Sequence, residues 1–98
     1  MTINKKQDGS ALTIALEGRL DTTTAPELEQ ELKQSLNGVT ELTLDLEKLD
    51  YISSAGLRVL LSAHKTMMKQ GSMKLIHLNE VVQEVFEVTG FSDILTIE

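Results

Sequence analysis

The residues best placed to do chemistry lie in one stretch, Asp50-Tyr-Ile-Ser-Ser-Ala-Gly-Leu-Arg-Val-Leu-Leu, which reads as a strand end, a short loop and the start of a helix. Serine is a preferred helix N-cap, worth ~1 kcal/mol over alanine, and that role suits Ser53 without any further function. Gly56 fits less well, because glycine inside a first turn costs ~1 kcal/mol against alanine. Such a residue marks a close approach of something to the backbone. Ser54 beside it sits at the positive end of a helix dipole, where free amides favour an anion. A phosphoryl group there would add about −1.5 to −2 charges at a place that tolerates them. The chemistry suggested is therefore reversible modification of a serine, which changes what docks without unfolding the domain.

Other chemistries find less support. A nucleophilic serine needs a base, yet the Gly-x-Ser-x-Gly elbow is absent and neither His64 nor His77 is placed by the sequence to serve. The chain thus reads as the substrate of an enzyme rather than an enzyme. Asp45 and Glu47 share the solvent-facing parity of a strand, with Asp50 close behind, and read as a solvated face rather than an acid–base pair. Neither histidine has a ligand-spaced partner in sequence, so no metal site is expected. Cysteine is absent, which removes disulfides and thiolate chemistry. No cofactor motif is present.

The elements that must position this segment follow from periodicity. Leu12-Thr-Ile-Ala-Leu-Glu alternates as a half-buried strand ended by Gly18, and Asp8-Gly9-Ser10 would turn a short preceding strand, roughly residues 2–6, back onto it as a hairpin. Thr24 as N-cap with Glu27 forms a capping box, Pro26 fits the first turn, and Ala25, Leu28, Leu32 and Leu36 make an apolar stripe before Asn37-Gly38. Glu41 to Glu47 alternates again and buries Leu42, Leu44 and Leu46. The second helix follows Ser53, with Leu57, Leu60, Leu61 and Met68 at helical spacing and Gly71 just past its end. Met67, Met68 and Met73 cluster near that end and read as packing residues. Met73 to Leu78 is a further strand. Asn79 caps a third helix carrying Val81, Val82, Val85 and Phe86, which stops near Gly90, and Ile94 to Ile97 reads as a final short strand. The order predicts an α/β fold with a mixed four- to five-stranded sheet: an initial antiparallel hairpin, then right-handed βαβ crossovers, with helices mainly on one face.

Length and composition set the outer bounds. With 98 residues, the expectation is a single domain spanning 1–98. Apolar residues at 41% argue against general disorder, while aromatics at 3% leave Leu, Ile, Val, Ala and Met to build the core, with Phe86 and Phe91. The net charge of −6 and the lack of a basic patch exclude nucleic acid and an anionic membrane surface as expected direct partners. The N-terminus lacks the apolar stretch of a signal peptide, and no apolar run approaches the ~20 residues of a membrane span, so a cytoplasmic location is expected.

Two segments bear a resemblance that sharpens the reading. Asp50-Tyr-Ile-Ser-Ser-Ala-Gly-Leu-Arg-Val-Leu-Leu closely resembles the signature of STAS domains, the fold of anti-sigma factor antagonists and of sulfate-transporter tails. Gly18-Arg-Leu-Asp-Thr-Thr-Thr-Ala resembles the earlier motif of that family, and the element order matches over essentially the whole chain. The resemblance implies an anti-sigma factor antagonist that acts by partner switching, with Ser54 as the phosphorylated residue. Ser53 stands where the family often has Asp, Arg58 where it often has glycine, and Asp21 aligns with an acidic residue near the serine. The implied partner surface comprises Asp21, Thr22, Ser53, Ser54, Ala55, Gly56, Leu57 and Arg58. The unphosphorylated form would bind an anti-sigma factor serine kinase of the histidine-kinase-type ATPase fold and free a sigma factor. A metal-dependent serine/threonine phosphatase would reset the switch. The terminal helix of some relatives is expected to be short or missing. The alternative is a non-phosphorylated STAS subunit of a membrane transport ATPase complex, in which Ser54 merely begins a helix.

Overall fold

The computed structural model describes residues 1–98. Strand β1 (Thr2–Asp8) folds back on β2 (Ala11–Leu20), with Thr2 opposite Glu17 and Asp8 opposite Ala11. Helix α1 (Ala25–Ser35) carries the chain to β3 (Glu41–Ile52), parallel to β2. Helix α2 (Ser54–Gln70) then leads to β4 (Ser72–Ile76), parallel to β3, and α3 (Glu80–Thr89) follows. The four strands lie in the order β1-β2-β3-β4. This is the expected hairpin and pair of crossovers. The chain contains no helix long and apolar enough to cross a membrane.

One face of the sheet carries the core. Leu12, Ile14 and Leu16 of β2, Leu42, Leu44 and Leu46 of β3, and Met73 and Leu75 of β4 are all buried. They form one cluster of 24 buried apolar residues with Leu28 and Leu32 of α1, Leu57, Leu60 and Met67 of α2, and Val82 and Phe86 of α3. No polar or charged residue is buried. Thr13, Ala15, Thr43 and Asp45, of the opposite parity, are only half-buried, so that face stays open to solvent.

Several boundaries differ from the periodic reading. β2 does not end at Gly18. The glycine, at φ +102°, lies where the pairing with β3 shifts register, and the strand resumes through Leu20. Another shift lies between Ala15 and Glu17; each inserts one residue in β3 and changes its parity, the first ahead of Leu49 and the one at Gly18 ahead of Ile52, so that both are buried after Leu46. On α2 the buried methionine is Met67, whereas Met68 is 70% exposed. On α3, Val81 is exposed and Val82 buried. In place of the expected final strand over Ile94 to Ile97, a 3-10 turn (Phe91–Asp93) is followed by a single bridge between Ile97 and Leu75. Burying Leu95 in the core uses the residues that a longer strand would need.

Candidate functional site

Parallel pairing puts the ends of β2 and β3 side by side. Leu20 pairs with Ile52, and the Ser53 N–H donates to the Leu20 carbonyl at 2.9 Å. Both chains therefore leave the sheet at its carboxyl edge as neighbours, one into the Asp21–Thr24 turn and the other into α2.

The Asp21–Thr24 turn is built differently from the expected capping box. Thr24 has helical backbone angles and makes no capping bond. Its hydroxyl instead donates to the Arg19 carbonyl and accepts the Asp21 N–H, each at 2.8 Å. Asp21 takes over the anchoring role. Its Oδ1 accepts from the Thr23 hydroxyl at 2.7 Å, the Thr23 N–H at 3.0 Å and the Thr24 N–H at 3.2 Å. Donation from the Thr23 hydroxyl, above all, favours the charged form, and the two backbone amides add to it. They outweigh partial desolvation and hold the Asp21 carboxyl at about 2. Arg19 lies 3.6 Å from Asp21 Oδ2, with its guanidinium over the Tyr51 ring at 4.5 Å.

Helix α2 starts as its sequence predicts. Ser53 is extended and its Oγ accepts the Gly56 N–H at a long 3.5 Å. Ser54 is the first helical residue, is exposed, and its hydroxyl engages no group of the chain. The amides of Ser54 and Ala55 precede the first intrahelical bond, from Leu57 N–H to Ser53 C=O at 2.9 Å. No acidic residue lies in this first turn. A phosphoryl group on Ser54 would meet the positive end of a 17-residue helix with no nearby carboxylate on that turn. Arg58, one turn on, is exposed on the same side.

Gly56 and Leu57, expected on the partner surface, are buried beneath the exposed Ser54 and Arg58. A Cβ on Gly56 would lie 2.7 Å from Leu20 Cγ and 2.9 Å from Ile52 Cγ1. The close approach inferred from the glycine is thus made by the protein's own core. Gly56 seats the helix start against the strand ends and thereby places Ser54. Thr22, Ala25, Pro26, Glu29, Ala55 and Arg58 line a shallow cleft of about 270 Å³ between the two turns, which brings residues of both sequence motifs onto one surface.

The histidines lie elsewhere. His64 is ten residues along α2 from Ser54, roughly 15 Å of helix rise. His77 follows β4, and its Nδ1 is 3.0 Å from Asp45 Oδ1 and 3.9 Å from Glu47 Oε2. Sequence reading sets Asp45 and Glu47 on one face of a strand but leaves His77 unconnected to them. Only the β3–β4 register, which pairs Asp45 with Ile76, brings them together.

A family model described as STAS domain matches residues 2–98. A candidate anti-sigma factor antagonist of Bordetella bronchiseptica, BtrV, is 43% identical over 94% of this chain and 80% of its own length. A crystal structure of an anti-sigma factor antagonist from Mycobacterium paratuberculosis superimposes with a TM-score of 0.89 at 20% identity, covering 98% of this chain and 83% of that one. The Bacillus protein SpoIIAA, described as an anti-sigma factor antagonist and cell fate determinant, matches in its unphosphorylated form (TM-score 0.77, 17% identity, covering 99% of this chain and 87% of its own). Its phosphorylated form matches similarly (TM-score 0.76, 17% identity, 99% and 91%).

Proposed function

The chain belongs to the STAS domain family, and on that premise we propose that residues 1–98 act as a single-domain anti-sigma factor antagonist switched by phosphorylation of Ser54. The observation that carries this reading is Ser54 itself: an exposed, unengaged hydroxyl on the first residue of a helix whose first turn holds no acidic group. The unphosphorylated surface, formed by Asp21, Thr22, Ser53, Ser54, Ala55 and Arg58 over the buried Gly56 and Leu57, binds an anti-sigma factor serine kinase of the histidine-kinase-type ATPase fold. A sigma factor is thereby freed. The kinase transfers the γ-phosphoryl group of ATP to Ser54 Oγ, ADP leaves, and the hydroxyl proton passes to a base on the kinase. A metal-dependent serine/threonine phosphatase removes the group again. The relatives named as anti-sigma factor antagonists favour this reading over a transport-complex subunit.

The electrostatics explain how one group can switch binding without unfolding the domain. The net charge of −6 becomes about −8 on phosphorylation. Within the domain the added charge meets helix amides. At an interface it must instead be desolvated against a partner that had matched a neutral hydroxyl, which weakens the complex.

The test is intact-mass and peptide mapping after incubation with a kinase-type anti-sigma factor and ATP. A gain of one phosphate on Ser54, absent from Ser54→Ala, is expected, with Ser54→Ala still binding the kinase but no longer released by ATP. No phosphate gain with an active kinase, or ATP-driven release of Ser54→Ala, overturns the reading.

A further inference from the structure

The open face of the sheet carries a cluster that the phosphoserine reading does not use. Asp45 and Glu47 are two residues apart on β3 and so project on one side of it. The parallel register sets Asp45 beside Ile76, and His77 comes next. His77 has φ +60°, a left-handed conformation in which histidine is among the better-tolerated non-glycine residues. Its Nδ1 lies 3.0 Å from Asp45 Oδ1 and 3.9 Å from Glu47 Oε2, and one ligand atom from each of the three falls within 4.8 Å of the others.

We propose that Asp45, Glu47 and His77 bind a divalent transition-metal ion, zinc foremost, with water completing the coordination. A tetrahedral ion with bonds of about 2.0–2.1 Å holds its donors about 3.3–3.4 Å apart. The donors already bracket that spacing, and the adjustment falls on the two more exposed side chains, His77 and Glu47, at 56% and 69%. Asp45 is the fixed member, 24% exposed, with its Oδ1 accepting the Glu47 N–H at 3.1 Å. A carboxylate so bonded is oriented before the ion arrives.

Charge and donor type point to the same class of ion. Two carboxylates and a neutral imidazole carry about −2, which a divalent cation neutralises. No lysine or arginine forms an ion pair with Asp45 or Glu47; their one ion-pair partner is His77. Lys48 lines the adjoining cleft of about 260 Å³ with Asn4 and Glu17 but makes no ion pair there. The imidazole disfavours calcium and magnesium, which take oxygen ligands, and suits zinc, copper or nickel. A bound ion would clamp β3 to the connection between β4 and α3, where the Asn79 side chain already donates to the Leu49 carbonyl at 2.6 Å.

Ser54 lies nine residues beyond Asp45, near the far end of the same strand, so the site is separate from the proposed switch. The experiment uses the untagged chain, titrated with zinc chloride by calorimetry and by thermal unfolding, with cobalt(II) absorption as a coordination probe. One ion per chain and a melting temperature that rises with zinc concentration and returns on chelation are expected. His77→Ala and Asp45→Asn should each weaken binding by at least about tenfold. His64→Ala and Ser54→Ala should leave it unchanged. Absence of saturable binding by calorimetry up to about 1 mM zinc overturns the proposal. So does binding that survives His77→Ala or is lost with His64→Ala. Circular dichroism of each variant separates loss of the site from loss of the fold.

Discussion

Gly56→Ala asks whether the glycine of the serine segment serves the core or a partner. Helix propensity alone favours alanine by about 1 kcal/mol. The new methyl group, however, would stand 2.7 Å from Leu20 Cγ, 2.9 Å from Ile52 Cγ1 and 3.0 Å from Leu20 Cδ2. Carbon pairs are most stable at about 3.5–4.0 Å. Leu20 and Ile52 are no more than 1% exposed, so neither can swing aside without disturbing its own neighbours. Overpacking of this kind costs about 1–3 kcal/mol. Two buried side chains crowded at once place the cost toward the upper part of that range. Less the propensity gain, a net loss of about 1–2 kcal/mol remains, equivalent to a melting temperature lower by roughly 5–15 °C for a domain this size. Urea unfolding followed by far-UV circular dichroism suits a chain with no tryptophan and one tyrosine. The midpoint should fall at an unchanged m-value. A variant as stable as the parent, or more so, would refute the packing argument and return Gly56 to the partner surface.

Two further substitutions test the turns that flank the site. The Asp21 carboxyl is held at about 2, below its ordinary 3.8. Its stabilisation is therefore fully present above about pH 5 and is lost as pH falls toward about 2, because the unfolded chain takes up the proton first. Asp21→Ala should flatten that part of the acid limb when urea midpoints are compared between about pH 5 and 2; an unchanged limb would show that the Thr23 and Thr24 donors do not favour the carboxylate. Asn79 both accepts the Val82 N–H at 2.9 Å to cap α3 and donates to the Leu49 carbonyl at 2.6 Å. Asn79→Ala should cost about 2–3 kcal/mol by urea unfolding, against about 0.5–1 for Ser53→Ala, whose capping bond is 3.5 Å long. Equal losses would mean that the Leu49 bond contributes nothing.

How far the sequence could be read depended on whether a signal was local. The α1 stripe of Ala25, Leu28, Leu32 and Leu36 is buried as its spacing predicts, because that helix packs on one side only. α2 misled. It packs on the sheet and also on α1, so Val59, Ala63 and Met67 are buried beside Leu57 and Leu60, and the small residues Gly56 and Ala63 on the inner face carry little periodic signal. Thr24 and Glu27 have the right types for a capping box, but the preceding Asp21 takes the Thr24 N–H together with that of Thr23, and the Glu27 N–H donates to the Thr24 carbonyl instead. Ser54 was legible at the start of its helix because capping residues and a following apolar stripe are local features. Gly56 was legible as a close approach, although the neighbour that approaches it became known only from the strand ends. The meeting of His77 with Asp45 had no local signal at all, since 32 residues separate them and only the pairing of β3 with β4 joins them.

The two borders of the sheet limit the ways in which another protein can attach. The outer edge of β1 presents Lys5 and Lys6, charges that discourage a foreign strand from zippering on, and Lys5 is further occupied by Glu31 and Ser35 of α1. At the opposite border the C-terminal tail already satisfies Leu75, whose N–H donates to Thr96 and whose carbonyl accepts from Glu98, each at 2.9 Å. Recognition by strand augmentation is thus obstructed on both sides. Side-chain surfaces such as the helix starts and turns are what remain for a partner to read, and there a single added group would be felt at once, whereas a backbone ladder would be indifferent to it.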